Sequence, residues 1–196
     1  TSPELVVVGN LGLAQAAAIP LARVETLVKN AEADAFAIHL NTLQEVIQPE
    51  GTPTFAGGIK TLRRLAEKLS VPLVVKETGC GFSRRTLEKI RTLKLAAVDV
   101  SGLGGTHWGR IEGVRAERGG DSVRARAAKT FADWGVTTVE SVRLAAAILP
   151  KSTEIWASGG VRTGLDAAKL ISLGATRVGF AKPALEAALL GERELE

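Results

Sequence analysis

Six strand-like runs, separated by helix-type segments, constrain this chain more than any other feature. Leu5 to Val8, Ala35 to His39, Pro72 to Lys76, Ala97 to Val100, Ile155 to Ser158 and Arg177 to Phe180 read as strands. Most lack polar alternation, the mark of strands buried on both faces. Between them lie an Ala-rich segment reaching Lys29, with Pro20 near a helix start or break, and helical stretches at Phe55 to Leu69, Ser83 to Leu93, Val139 to Leu149 and Asp166 to Leu173. Ser83 suits an N-cap, because its hydroxyl accepts a bond from the first helical turn.

Repeated strand–helix units dictate a parallel sheet with right-handed crossovers, so every strand ends on the same rim. Polar and glycine-rich residues collect there: Asn10; His39, Asn41, Gln44 and Glu45; Lys76; Ser101 to Thr106; Ser158 to Arg162; Ala181 and Lys182. Chemistry at six strand ends suits a (β/α)8 barrel, whereas an open doubly wound sheet binds at one switch point. A barrel has eight strands and about 250 residues. The expectation is therefore one domain over residues 1–196 that supplies about six units and lacks the first two strands. A chain that contains no methionine and opens directly before a strand fits such N-terminal incompleteness. The stretch 107–134, with Gly113, Gly119 and Gly120 among charges, reads as a flexible loop able to act as a lid.

Composition narrows the partners. The formal charge is +4, but the densest basic window, Arg110 to Lys129, also carries Glu112, Glu117 and Asp121. That is no nucleic-acid stripe, although a phosphate on a small substrate would suit it. No apolar run approaches the roughly 18 residues that span a bilayer. Cys80 is the single cysteine, so a reducing compartment, the cytoplasm, is the expected location.

His39 and Asn41 sit two apart at a strand end, so continued extended geometry would point both to one side. With the carboxylate of Glu45 they suit a diphosphate bridged to Mg²⁺, which commonly takes one protein carboxylate plus phosphate oxygens and water. Singly, each could be a loop residue capping the next helix. Gly104-Gly105-Thr106 and Ser158-Gly159-Gly160-Val161-Arg162-Thr163-Gly164 are glycine-rich strand ends. The second runs into a helix, whose unpaired N–H groups form an anion site; the glycines could equally serve tight turns. Neither matches a P-loop. Lys76 could form a Schiff base or stabilise negative charge on a cofactor ring. Cys80 reads as a small packing residue, since as a nucleophile it would need a base and His107 is the only histidine besides His39. Trp134 and Trp156 read as packing residues, and Trp108 stands on the rim.

Five stretches share an order with a known family: His39-Leu-Asn-x-Leu-Gln-Glu45 with Gln48-Pro-Glu-Gly51, Val75-Lys76-Glu-Thr-Gly79, Val98-Asp99-Val-Ser-Gly-x-Gly-Gly-Thr106 and Ala157-Ser-Gly-Gly-Val-Arg162. Together they resemble the type 2, flavin-dependent isopentenyl-diphosphate Δ-isomerases over essentially the whole chain. The resemblance implies an FMN barrel of the cytoplasm that interconverts isopentenyl and dimethylallyl diphosphate, with Mg²⁺, with NADPH as reductant, and as a homo-oligomer. It implies FMN contacts from Asn10, Lys76, Ser101 and Thr106, and a hold on its phosphate end by Gly160, Val161, Arg162, Ala181 and Lys182. Gln44 would act at the isomerised double bond, Glu45 would bind Mg²⁺, and His39 and Asn41 would contact the diphosphate. The alternatives are an FMN oxidoreductase of the hydroxy-acid oxidase or inosinate dehydrogenase type, and an inactive phosphate-binding barrel fragment.

Overall fold

In a computed structural model, which describes residues 5–191, six parallel strands pair in chain order. They are β1 (Val8–Gly12), β2 (Ala35–Leu40), β3 (Leu73–Glu77), β4 (Ala97–Asp99), β5 (Glu154–Ala157) and β6 (Arg177–Val178). Among the described residues, β1 pairs only with β2 and β6 only with β5, so the sheet keeps two free edges.

The strands sort their residues by alternation. Phe36, Ile38, Leu73, Val75, Val98 and Ile155 face outward and form the main core with the surrounding helices. Each large side chain fully buried in this way contributes about 1.5–3 kcal/mol. The opposite, concave face carries a small cluster of Ala37, Val74 and Ala97, with Trp156 packed against it. One residue pair further along, the register aligns His39 with Lys76 and Lys76 with Asp99. A parallel sheet directs register partners to the same face, so three ionisable groups stand side by side above the apolar floor.

The helices are α1 (Leu13–Ala18), α2 (Leu21–Asn30), α3 (Thr42–Ile47), α4 (Gly58–Lys68), α5 (Arg84–Ile90), α6 (Trp108–Arg118), α7 (Ser122–Thr130), α8 (Thr138–Ile148), α9 (Gly164–Ser172) and α10 (Lys182–Leu190). Ser83 caps α5 as expected, accepting from the Thr86 N–H. Pro20 is the N-cap of α2 and separates it from α1. No helix among the described residues is long and apolar enough to cross a membrane.

Three expectations are corrected. The first strand lies later than its apolar run: Leu5 and Val6 are exposed, and pairing runs from Val8 to Gly12. Close packing fixes that register, since a Cβ on Gly9 would sit 2.6 Å from the Phe36 ring. Asn10 thereby becomes a strand residue on the concave face. Second, the stretch 107–134 is mostly helical, as α6 and α7. Gly113 lies inside α6, where a Cβ would meet Ala128, Gly119 closes that helix, and Asp121 opens α7 by accepting from the Arg124 N–H. Third, the backbone does not stay extended beyond Leu40. Asn41 is the N-cap of α3, with φ −106° and ψ 42°, so Gln44 and Glu45 project from a helix rather than from a strand end.

Candidate active site

Two cavities open on the strand-end rim, and Lys76 lines both. The first, about 610 Å³, is walled by Asn10, His39, Asn41, Gln44, Glu45 and Trp108, with several further polar neighbours. The second, about 580 Å³, is walled by Asp99, the Ser101–Thr106 turn, the Ser158–Arg162 turn and Gly179 to Lys182.

Glu45 organises the first cavity. It is only 2% exposed, and a buried carboxylate is tolerable only when donors surround it. Its Oε1 accepts from Asn41 Nδ2 at 2.9 Å and Gln15 Nε2 at 3.5 Å. Its Oε2 accepts from the Thr52 backbone N–H at 2.7 Å and Gln48 Nε2 at 3.2 Å. Burial alone would raise its pKa, but the Thr52 N–H and the amides of Asn41, Gln15 and Gln48 outweigh it and hold the carboxyl below its ordinary 4.5. Asn41 is held in turn, its Nδ2 also reaching Gln44 Oε1 at 3.3 Å. That leaves Asn41 Oδ1 buried without a hydrogen-bond partner among the described residues.

The remaining groups are oriented just as firmly. Gln44 Nε2 donates to Glu112 Oε1 at 3.2 Å, and the second oxygen of Glu112 accepts from Arg115 Nη1 at 2.7 Å. His39 Nδ1 lies 3.2 Å from Asn10 Oδ1. Burial, and then the Lys76 ammonium, push the imidazole below its ordinary 6.5, with Glu45 opposing in part. Both effects favour the neutral imidazole.

In the second cavity Asp99 Oδ1 accepts from Ser158 Oγ at 2.6 Å and from the Ser101 N–H at 3.2 Å. Burial raises its pKa, against the Ser158 bond and the charge of Lys76. Ser101 takes φ 34°, left-handed for a residue with a Cβ, at a cost of about 1–3 kcal/mol. Its carbonyl accepts from the Gly79 and Gly81 N–H groups, tying the two loops together. Across the cavity, Gly159 and Gly160 take φ 103° and 82°. The N–H groups of Gly159, Gly160 and Val161 have no acceptor among the described residues. A Cβ on Gly105 would lie 2.5 Å from the Gly160 nitrogen, so glycine there leaves that amide uncovered. Successive free amides in such turns form an anion cradle, which fits the phosphate end of a flavin nucleotide.

Every residue expected to contact FMN lines the second cavity except Asn10, which stands in the first beside His39. His39, Asn41, Gln44 and Glu45 come together as expected. Sequence reasoning missed Gln15, Thr52, Asp99 and Glu112 as site residues. Glu112 lies one helical turn after Trp108, a spacing legible only once that segment is read as a helix. Trp134 packs edge-on against Phe131, with ring centroids 5.7 Å apart, but is 62% exposed and so lies outside the core. Cys80 agrees with its packing role: burial, and then the charge of Glu77, push its thiol up to about 12. His107, 3.4 Å away, supplies no base, because its Nδ1 accepts the Arg110 N–H and Nε2 faces the Trp134 carbonyl at 3.2 Å. Among the described residues there is no group of three metal-ligating His, Cys, Asp or Glu side chains.

Comparisons with known proteins bear on the fold and the family. Residues 12–195 match the family model described as FMN-dependent dehydrogenase. The chain is 54% identical over 187 residues to an isopentenyl-diphosphate delta-isomerase of Legionella pneumophila (strain Corby), covering 95% of this chain and 54% of that protein. It is 47% identical over 195 residues to the protein of that name from Bdellovibrio bacteriovorus, covering 100% of this chain and 55% of the relative. The chain thus spans about half the length of the curated relatives it matches. Among solved structures, mandelate oxidase aligns with a TM-score of 0.56 at 16% identity, over 96% of this chain and 60% of that one. Mandelate oxidase with benzoyl-formic acid gives 0.57 at 16% identity, over 96% of this chain and 59% of that one. That likeness shows the fold, six consecutive units of a (β/α)8 barrel. With flavin-type glycine turns at its strand ends and relatives that bear the isomerase name, the chain belongs to the FMN-dependent dehydrogenase family.

Proposed function

We propose that the protein carrying this chain interconverts isopentenyl and dimethylallyl diphosphate. The observation that supports this best is the pairing of two cavities through Lys76, one lined by free amides and the other by Gln44, Glu45 and His39. Reduced FMN, when bound, supplies a proton donor and acceptor, so a redox-neutral isomerisation needs no net electron transfer. NADPH is the proposed source of the reducing electrons.

The chain's own residues divide the remaining work. The Gly159, Gly160 and Val161 amides, with Arg162, Ala181 and Lys182 beside them, hold the flavin phosphate; Ser101, Thr106 and Lys76 line the path to its ring. His39 and Asn41 form the diphosphate end of the first cavity. Dianionic phosphate near His39 favours the imidazolium, opposing burial and the Lys76 ammonium. Glu45 fits a single protein carboxylate for Mg²⁺, with phosphate and water completing the shell. The unpartnered Asn41 Oδ1 beside it adds to a set of hard oxygen donors. Both Glu45 oxygens already accept bonds, and the longer ones, from Gln15 and Gln48, are those that would give way if Glu45 held a metal. Gln44, its amide fixed between Asn41 and Glu112, faces the apolar part of the substrate, and the half-exposed Trp108 ring walls that side. A homo-oligomer in the cytoplasm belongs to the same reading, on the strength of the family resemblance.

The oxidoreductase alternatives fare worse. A hydroxy-acid oxidase wants a histidine base at the flavin, yet the His107 ring is committed to backbone groups and His39 lines the other cavity. An inosinate-dehydrogenase chemistry wants a reactive cysteine, and the Cys80 thiol is held protonated.

Protein expressed from the natural gene, supplied with FMN, NADPH and Mg²⁺, should convert isopentenyl diphosphate to its isomer. Glu45→Gln should lose about a hundredfold in rate or more, with flavin absorbance retained. Unchanged rate and Mg²⁺ dependence in that variant would remove Glu45 from the metal site.

A further inference from the structure

Thr138, the first residue of α8, lies behind the glycine turns, outside the 580 Å³ cavity but lining a smaller one of about 210 Å³ with Gly159, Gly160 and Val161. It is 5% exposed. Its hydroxyl lies 2.6 Å from the Gly159 carbonyl oxygen and 3.2 Å from that of Ser158, and its own N–H donates to the Leu103 carbonyl at 3.2 Å. The Gly102 N–H donates to the Ser158 carbonyl as well, at 3.1 Å. These bonds draw two consecutive carbonyls of the 158–160 turn toward α8.

No peptide bond among the described residues is cis. In a trans peptide the C=O and the following N–H point in opposite directions. Fixing the Ser158 and Gly159 carbonyls toward α8 therefore turns the Gly159 and Gly160 N–H groups the other way, away from the smaller cavity that Thr138 lines and toward the 580 Å³ one, and neither has an acceptor among the described residues. The approach leaves no slack: a Cβ on Gly159 would lie 2.8 Å from the Thr138 hydroxyl oxygen, and one on Gly102 would lie 2.4 Å from the Thr138 nitrogen.

We propose that Thr138 is a positioning residue for the anion cradle, its hydroxyl holding the Ser158 and Gly159 carbonyls so that the N–H groups of Gly159 and Gly160 are presented to a phosphate-bearing ligand. The inference rests on the reading that this cavity takes the phosphate end of FMN. Valine at 138 has the same shape but puts a methyl against the Gly159 carbonyl, which must then turn, carrying the Gly160 N–H with it. The effect belongs to the phosphate and not to the flavin ring.

Equilibrium binding to flavin-stripped full-length protein, followed by quenching of flavin fluorescence, tests it with two ligands, FMN and riboflavin, which lacks the phosphate. Thr138→Val should weaken FMN about tenfold, the scale of one hydrogen bond to a charged group, and leave riboflavin unchanged. Thr138→Ser, which keeps the hydroxyl, should bind FMN as the parent does. Equal weakening of both ligands, or no change for FMN, overturns the proposal. Should Thr138→Val not fold, Thr138→Ala reads the same ratio under the same criteria. Parent protein that binds FMN no better than riboflavin overturns the phosphate reading and this inference together, whereas a large parent preference that Thr138→Val leaves intact overturns this inference alone.

Discussion

Gln44 on α3 donates to Glu112 on α6 at 3.2 Å, joining residues 68 positions apart in the chain. A primary amide can present oxygen or nitrogen to a ligand, and two partners remove that choice here. Asn41 Nδ2 faces the Gln44 oxygen, while the carboxylate of Glu112, 2% exposed, takes the nitrogen.

Glu112→Leu should therefore lower turnover about a hundredfold through misplacement of Gln44, with flavin affinity and substrate KM within about threefold of the parent. Glu112→Gln can still accept from Gln44 and should lose less. Steady-state kinetics alongside a flavin titration separates the cases. An equal loss of flavin would mean that Glu112 holds up the fold rather than the amide.

Glu77 gives a pH dependence of definite sign. Burial raises its pKa from 4.5 to about 7, against the N–H groups of Thr78 and Cys80 and the charge of Lys76. Between those two values the folded state holds a proton that the unfolded chain releases, so stability falls as pH rises and the loss is complete above 7. The size is about 3 kcal/mol. Glu77→Gln keeps an acceptor for both N–H groups and removes the charge. Its Tm should lie close to the parent's at pH 5 and exceed it by several degrees at pH 8; the same difference at both pH values would count against the assignment.

Cys80 should resist alkylation in the native state. A thiol raised from 9.0 to about 12 reacts about a thousandfold more slowly at neutral pH than one with the ordinary value, because only the thiolate attacks. Iodoacetamide labelling followed by intact mass checks this, with protein unfolded in guanidinium as the reactive control. Cys80→Ala should keep its turnover, and rapid native labelling would reopen a nucleophilic role for the residue.

Much of the candidate site was legible in the chain because parallel strands end on one rim: once β2 and β3 are recognised, His39 and Lys76 emerge on it, whereas Asp99 beside Lys76 follows only from the β3–β4 register. Helical pattern was less legible. The segment holding α6 and α7 is Arg- and Glu-rich with weak apolar periodicity and several glycines, so nothing local distinguishes a surface helix from a loop. Glu112 went unassigned for that reason. Gln15 and Thr52 went unassigned for another: each reaches Glu45 from a different element, and no short-range signal records a contact such as that of Gln15, 30 residues away.

By itself the sequence determined the strand–helix alternation, hence the parallel sheet, the rim, and the residue types available there, because apolar periodicity and glycine placement are local properties of the chain. Tertiary structure alone decided how those residues are used. It made Glu45 a buried acceptor of four donors, committed His107 to backbone partners, aimed Gln44 through Glu112, and set Thr138 behind the glycine turn. Each of these depends on hydrogen-bond direction and burial, which are fixed only when separate elements pack together.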